Sequence, residues 1–559
     1  MTEGGGKAFS NSRSMYNGRL NFAVLGNGAQ PFIMAAHRVL LWLTPSFASR
    51  TKSTKTLPTT SPDKISALDG LRGIACLIVL HEHWTCAVDD PWRPYAINEL
   101  AAGFMWKPFV ILLWGGEAMV NLFFVISGYV LSYKPLGMLY SSNPQMMYEC
   151  IASSVFRRAF RLLLPTMAAV VIIATLTQMR AFEPARYVCS DLNTAQIEAF
   201  DARNNVTQMI EDGILLESPQ PRLMREEPPP LAETFSAQAS DVLTEFSMLA
   251  RGSVPGEASQ HDYFVYDAHV WTIPVELKSS MAIFILIMGT SMLASGWRLF
   301  VLAVIALYCA SQEYRSICLF IGGMIIAEID LIRIHLGHAA QSQERGPILG
   351  NQSPPRSPSP SPSPYKILQW FQHPDVASAA WGLCFVVGLY ILSIPLVEPV
   401  TAPSYVFLAR LLPAYIVDKN RLVRLLGAVI TTWSCVNAEI VSPVFNNDIA
   451  QYLGQISFAL YLTHGMMIRS LGYVVIGRLR SLTGAYVREE TSLAQFVFIW
   501  LFGYVMMLPF FLCVADLFWR SIDVPSVKLA RQIERRLRRQ GQHQHHHQQQ
   551  DWWPRNKVP

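Results

Sequence analysis

Long apolar stretches alternate with polar segments along most of the chain. A helix rises 1.5 Å per residue, so about 20 consecutive apolar residues are needed to cross a bilayer. Ten stretches approach this length, at residues 66–86, 108–133, 162–179, 272–295, 297–312, 316–336, 378–397, 421–437, 450–476 and 494–519. The pattern therefore predicts an all-α fold, a polytopic transmembrane bundle of about ten spanning helices.

Two long polar segments interrupt this pattern. Residues 180–270 are acidic and contain "REEPPPLAE", and residues 337–377 contain the Ser/Pro tract "SPPRSPSPSPSPY", which should be extended and disordered. We therefore predict a largely disordered N-terminal tail (1–63), a membrane domain (64–520) that includes both loops, and a basic, His/Gln-rich tail (521–559).

The composition agrees with a membrane protein. Of 559 residues, 51% are hydrophobic and 15% charged, against about 25% charged in soluble domains, and the mean hydropathy is +0.25. The lipid bilayer is thus the expected partner, and the modest net charge of +5 makes nucleic acid a poor one. Nine scattered cysteines without a CxxC pair predict neither a disulfide framework nor a metal centre.

Basic residues predict the orientation, because Lys and Arg near membrane helices favour the cytoplasmic side. They precede the first predicted helix and occur between the second and third, between the sixth and seventh, and in the C-terminal tail. With ten spans, both termini are then cytoplasmic, in the plasma membrane or an endomembrane, and residues 180–270 face the opposite side. Arg478, Arg480 and Arg488 lie on that opposite side and count against this orientation.

The first predicted helix, "LDGLRGIACLIVLHEH", carries ionisable residues that hydrocarbon does not tolerate. Such residues are functional candidates by default. Asp69 and Arg72 are three residues apart and share a helical face. His83 follows Arg72 by eleven residues, so it returns to that face about 16 Å further on, whereas His81 points elsewhere. The alternative is a simple Asp–Arg ion pair with interfacial histidines.

Two later segments carry further candidates. Glu276, in "HVWTIPVELKSSM", lies at a depth comparable to His83, and a carboxylate beside an imidazole would orient it as a general base. An acid at the membrane edge is the alternative. Arg158 and Arg161, in "FRRAFRLLLPT", are three residues apart and suit phosphate oxygens, although cytoplasmic anchoring also explains them.

Three more residues are supporting candidates. Glu117 and Ser127 lie in "GGEAMVNLFFVISGYVLSY", and His464 lies in "ISFALYLTHGMMIR". Each has a structural alternative: Glu117 at the membrane interface, Ser127 in close helix packing and His464 as a hydrogen-bonded packing residue.

Five segments, taken in order, resemble the motifs of the membrane acyltransferase type-3 family, most closely its fungal branch. They are "LDGLRGIACLIVLHEH", "LFFVISGYVLS", "RRAFRLLLP", "WTIPVE" and "ISFALYLTH". The resemblance extends over about residues 64–520. It implies transfer of an acyl group, commonly acetyl, from a donor such as acetyl-CoA to a hydroxyl of a sugar, lipid or small natural product.

The resemblance also implies roles for individual residues. His83 would be the general base, with Glu276 as its carboxylate partner. The residues that match the family's donor-binding positions are Arg72, Arg158 and Arg161. Acyl-CoA would act as co-substrate, and no bound cofactor is implied. Glu117 and Ala118 depart from the family pattern, which indicates a different acceptor pocket.

Two other classes of protein compete with an O-acyltransferase. A transporter or exporter of a small solute would also use buried Arg, His and Glu, as a proton relay. Transporters, however, commonly contain repeated halves, and the sequence shows no internal repeat. A catalytically silent scaffold or receptor is the third class, and the ionisable residues of the predicted site argue against it.

Overall fold

The structure is a computed structural model. The residues it describes are 46, 63–88, 107–141, 144–185, 228–251, 264–344, 374–395, 407, 410, 419–485 and 491–551. Residues 1–51 and 52–559 form two separate units, and every described residue except Ser46 belongs to the second. Apart from Ser46 and Asp63, the predicted disordered tail lies outside the described residues, as does the Ser/Pro tract.

Within these ranges the regular secondary structure is entirely helical. The α-helices, numbered in chain order, are α1 (Asp63–Val88), α2 (Gly116–Tyr140), α3 (Pro144–Gln178), α4 (Phe235–Arg251), α5 (Thr272–Thr290), α6 (Ser295–Ser311), α7 (Arg315–Glu344), α8 (Pro374–Leu392), α9 (Lys419–Asn437), α10 (Ser442–Asn446), α11 (Asp448–Met467), α12 (Tyr473–Thr483), α13 (Leu493–Phe518) and α14 (Val524–Asp551). A 3₁₀ turn, Ala268–Trp271, leads directly into α5.

Each of the ten predicted stretches overlaps one of these helices, so the all-α class is confirmed for the described residues. The count of ten spans is not. By length and composition, five segments in the described part of the chain are long and apolar enough to cross a membrane: Gly116–Tyr140, Pro144–Gln178, Ala268–Thr290, Asp448–Thr483 and Leu493–Arg538. Two shorter helices, Ser295–Ser311 and Val376–Leu392, are also apolar.

Ionisable residues lower the hydropathy of the longer helices outside this group, such as α7. In α7, Glu328 and Asp330 are both fully buried. Arg298 of α6 pairs with Glu328 at 2.8 Å, and the Tyr140 hydroxyl of α2 donates to Glu328 at 2.7 Å. The Tyr129 hydroxyl donates to Asp330 at 3.0 Å. Each carboxylate therefore has a partner from a neighbouring helix, and these contacts hold α2, α6 and α7 together.

Helices α1 and α11 cross backbone to backbone, and this crossing positions the candidate site. A Cβ atom added at Gly73 of α1 would lie 2.7 Å from the carbonyl oxygen of Ala450 in α11. Such a contact is too short for any side chain at position 73, so only glycine permits the close approach.

Because of this crossing, one face of α1 contacts α11 along the length of α1. Near one end, Arg72 donates to the Ser457 hydroxyl at 3.1 Å and to the Gly454 carbonyl at 3.0 Å. Towards the other end, the rings of His83 and His464 have centroids 5.1 Å apart. The prediction that Arg72 and His83 share a helical face is therefore confirmed.

Candidate active site

Three imidazoles from distant parts of the sequence meet in the bundle. His83 comes from α1, His269 from the turn before α5 and His464 from α11. The ring centroids are 4.1 Å apart for His83 and His269, 4.5 Å for His269 and His464, and 5.1 Å for His83 and His464. His269 and His464 are buried, and His83 is half-buried. We call these three residues the histidine cluster.

A carboxylate fixes the orientation of the central imidazole. Asp267 Oδ1 lies 2.5 Å from His269 Nδ1 and also accepts from the His269 backbone N–H at 3.3 Å. A carboxylate only accepts hydrogen bonds, so Nδ1 of His269 carries the proton. In neutral His269 the other nitrogen, Nε2, is then an acceptor, and it lies 3.1 Å from His83 Nδ1. Asp267, His269 and His83 thus form one hydrogen-bonded chain.

Asp267 itself is fully buried, just outside the apolar span that begins at Ala268. Burial acts to raise the pKa of its carboxyl, but His269 and the Arg469 guanidinium outweigh burial and hold that pKa below its ordinary value. Arg469 lies 3.4 Å from Asp267 and donates to the Tyr266 carbonyl at 2.8 Å. The carboxylate therefore stays ionised at neutral pH.

The third imidazole is oriented by its own helix. His464 Nδ1 lies 2.7 Å from the carbonyl oxygen of Tyr461, which can only accept, so Nδ1 carries the proton. The Tyr461 hydroxyl donates to the His269 carbonyl and lies 2.6 Å from the Thr272 hydroxyl. Tyr461 therefore ties α11 to the turn that carries His269.

Glu276 lies in a separate polar group. Its carboxylate pairs with Arg158 of α3 and accepts from the Ser127 hydroxyl of α2 at 3.2 Å. Arg158 also donates to the Ser280 hydroxyl at 3.1 Å. Three helices, α2, α3 and α5, thus contribute to the surroundings of this carboxylate.

The predicted pairing of His83 with Glu276 needs correction. Glu276 follows His269 by seven residues, which is about 10 Å along a helix, and at that level the opposite charge of Arg158 attracts it. The carboxylate linked to His83 is instead Asp267, through His269. The catalytic role of Glu276 stays a prediction.

The predicted donor-binding arginines lie near one another. Arg161 of α3 is exposed, and the charges that act on it include those of Arg158, Arg72 and Asp523. Arg72 also lies 3.2 Å from Asp69, so the expected ion pair within α1 forms as well. Three guanidinium groups from two helices suit an anion with several charges.

The remaining candidates lie apart from the histidine cluster. Glu117 pairs with Arg421 of α9 at 3.3 Å, where both side chains are about a third exposed. His81, two residues before His83, packs against the rings of Trp114, Trp500 and Tyr504. The prediction that His81 points away from His83 is therefore confirmed.

Four residues of the site were not predicted from the sequence: Asp267, His269, Tyr461 and Arg469. The segment "YDAHVWTIPVE" places an acid two residues before a histidine at the start of an apolar span, and "THGMMIR" places an arginine five residues after His464. Both signals are visible. Their significance depends on helix packing, which brings Asp267 and Arg469, 202 positions apart in the sequence, to within 3.4 Å of each other.

An apolar helical bundle that encloses imidazoles, carboxylates and converging arginines is a candidate functional site in a membrane protein. The sequence profile of the acyltransferase domain matches residues 65–520. The chain therefore belongs to the membrane acyltransferase type-3 family, and it is an acyltransferase.

Curated relatives agree with this assignment. The chain is 29% identical to O-acetyltransferase PaAT-1 of Phomopsis amygdali, over 89% of both chains. It is 24% identical to acyltransferase R4 of a Phoma species, over 85% of this chain and 96% of the relative. Acyltransferase clz18 of Cochliobolus lunatus is 23% identical, over 86% of this chain and 98% of its own. No solved structure matches the chain.

Gly465→Ala tests whether the placement of His269 matters for acyl transfer. A Cβ atom at Gly465 would lie 2.7 Å from both Cε1 and Nδ1 of His269, so the ring must move off Asp267. A misplacement of about 1 Å can lower a reaction rate by about 100-fold. We expect a loss of that order in the acyl-transfer rate of membranes that contain the variant, corrected for protein amount. Gly477→Ala is the control, because an added Cβ meets nothing within 4 Å there. Equal rates for the two variants would contradict the importance of this contact.

Proposed function

We propose that the protein is an integral membrane O-acyltransferase that moves an acyl group, acetyl in the simplest case, from acyl-CoA to a hydroxyl. The acceptor class is a carbohydrate, lipid or small natural product. The observation that supports hydroxyl activation is the hydrogen-bonded chain Asp267–His269–His83. The relative from Phomopsis amygdali, named an O-acetyltransferase, supports acetyl as the acyl group and oxygen as the acceptor atom.

In this proposal His83 is the general base. Because His269 Nε2 accepts, His83 Nδ1 donates to it, and a neutral His83 then keeps a lone pair on Nε2. That nitrogen takes the proton from the acceptor hydroxyl as the oxygen attacks the thioester carbonyl. Positioned proton transfer of this kind is typically worth about 10²–10⁴-fold in rate.

Completing the reaction requires the same proton. The new C–O bond forms, the C–S bond breaks, and the proton held by His83 passes to the departing sulfur, so CoA leaves as a thiol. While His83 carries the proton, the ionised Asp267 stabilises its positive charge through His269. Neither His269 nor Asp267 changes its own protonation in this scheme.

We assign the donor phosphates to Arg72, Arg158 and Arg161. The guanidinium fork binds phosphate oxygens in a bidentate manner, and Arg161 is exposed and so accessible to a ligand. Arg72 and His83 are separated by eleven residues of α1, about 16 Å. The arm of CoA between its phosphates and its thioester would extend over that distance.

We further propose that all ten predicted stretches cross the bilayer with both termini in the cytoplasm. Paired charges such as Arg298 and Glu328 remove the main obstacle to burying the less apolar helices. The basic helix α14 contacts α3 through an Arg157–Glu534 pair at 3.5 Å, on the side of the donor arginines. The donor would then enter from the cytosol.

His83→Gln, compared with His81→Gln, tests the proposed base. Membranes that contain each variant are incubated with radiolabelled acetyl-CoA and an extract of the host cell, and acylated product is counted. Loss of the base should lower turnover by about 100-fold or more in His83→Gln. His81→Gln should retain activity, because His81 packs among aromatic rings away from His83. Wild-type turnover in His83→Gln, at equal protein amount, would remove His83 from the mechanism.

Arg161→Gln tests donor binding, with Arg157→Gln as the control from the same turn of α3. A lost hydrogen bond to a charged group costs about 1.5–3 kcal/mol, which corresponds to a rise in KM of roughly 10–100-fold for acyl-CoA. The KM for the acceptor should stay unchanged. Arg157 pairs with Glu534 instead, so its substitution should leave both KM values near wild type. A rise confined to the acceptor KM would reject the assignment.

A further inference from the structure

We propose that the histidine cluster is also a divalent-metal site suited to Zn²⁺, and that bound metal inhibits acyl transfer. The inhibition rests on the proposed role of His83, whereas the metal site stands without it. No metal centre was predicted from the cysteine pattern of the sequence. His83, His269 and His464 come from separate segments and form no spacing motif.

The spacing of the ring nitrogens suits coordination. One nitrogen from each of the three imidazoles lies within 4.8 Å of the others. Two nitrogens bound to tetrahedral zinc at about 2.0–2.1 Å are separated by about 3.4 Å. One pair, His269 Nε2 and His83 Nδ1, is already 3.1 Å apart. A small movement of His464 therefore completes a three-nitrogen set.

The hydrogen bonds around the cluster prepare the imidazoles as ligands. His269 donates a hydrogen bond from its Nδ1–H to Asp267, and His464 donates one from its Nδ1–H to the Tyr461 carbonyl. Metal-binding histidines almost always donate their second ring N–H to a carboxylate or a backbone carbonyl. Both groups occur here. Three histidines with a fourth position left for water are typical of accessible zinc sites.

Metal binding and the base function exclude each other through the tautomer of His83. In the proposed reaction His83 carries its proton on Nδ1 and accepts on Nε2. A metal bound at Nδ1 takes the lone pair of that nitrogen, so the proton moves to Nε2. Neutral His83 then has no lone pair for the acceptor hydroxyl, and transfer stops until the metal leaves.

Stoichiometry of bound zinc tests the site. The full-length protein is used with His543, His545, His546 and His547 in the tail changed to Gln, because His-rich tracts commonly bind metal and would add to the count. After treatment with chelator and dialysis against Zn²⁺, mass spectrometry should find about one zinc per chain. His464→Gln should lose it, and His81→Gln, outside the cluster, should retain it. Equal zinc in His464→Gln and its parent, or no zinc retained in the parent, would overturn the site.

Acyl transfer tests the inhibition on the same zinc-loaded preparation. Turnover should fall at least tenfold when one zinc is bound and recover when chelator removes it. Unchanged or increased turnover with the zinc in place would overturn the inhibition. Stoichiometric zinc that depends on His464, in a protein with no acyl transfer under any condition, would support the metal site and contradict the proposed function.

Discussion

The hydrogen bond between Asp267 and His269 is the interaction on which the site depends. It fixes which nitrogen of His269 carries the proton, and thereby makes the other nitrogen an acceptor towards His83. Three neighbouring residues stabilise or permit this hydrogen bond. Arg469 keeps the carboxylate ionised, Tyr461 holds the turn against α11, and Gly465 leaves room for the His269 ring.

Burial of charge in an apolar bundle sets the second constraint. Each buried ionisable group needs a partner. The resulting ion pairs lie in different parts of the bundle and have different consequences there. Arg298 and Glu328 stabilise the contact between α6 and α7. Glu276 neutralises Arg158 and leaves Arg161 exposed beside it, within a group of arginines suited to phosphate. The candidate donor and acceptor regions therefore lie towards opposite ends of α1.

Much of this arrangement was predictable from sequence, because it depends on local periodicity. The eleven-residue spacing of Arg72 and His83 correctly predicted a shared helical face, and the opposite direction of His81 followed from the same geometry. All ten apolar stretches overlap helices. The family followed from ordered motifs and is confirmed.

What sequence could not supply was the contact between segments far apart in the chain. A similar depth in the membrane suggested that Glu276 would meet His83, but depth alone does not fix direction around the bundle axis. The carboxylate of Glu276 instead forms an ion pair with Arg158 of α3. Asp267 lies at the end of a long polar segment. His269 follows it by two residues, but nothing in the local pattern indicated that Arg469 would lie on it as well.

The steady-state kinetics of Asp267→Asn test the account most directly. An amide at this position no longer enforces one tautomer of His269, so we expect kcat to fall by about 10²–10⁴-fold, while the KM for acyl-CoA stays at its wild-type value. An Asp267→Asn protein that turns over at the wild-type rate would contradict the claim that this carboxylate, acting through His269, prepares His83 for catalysis.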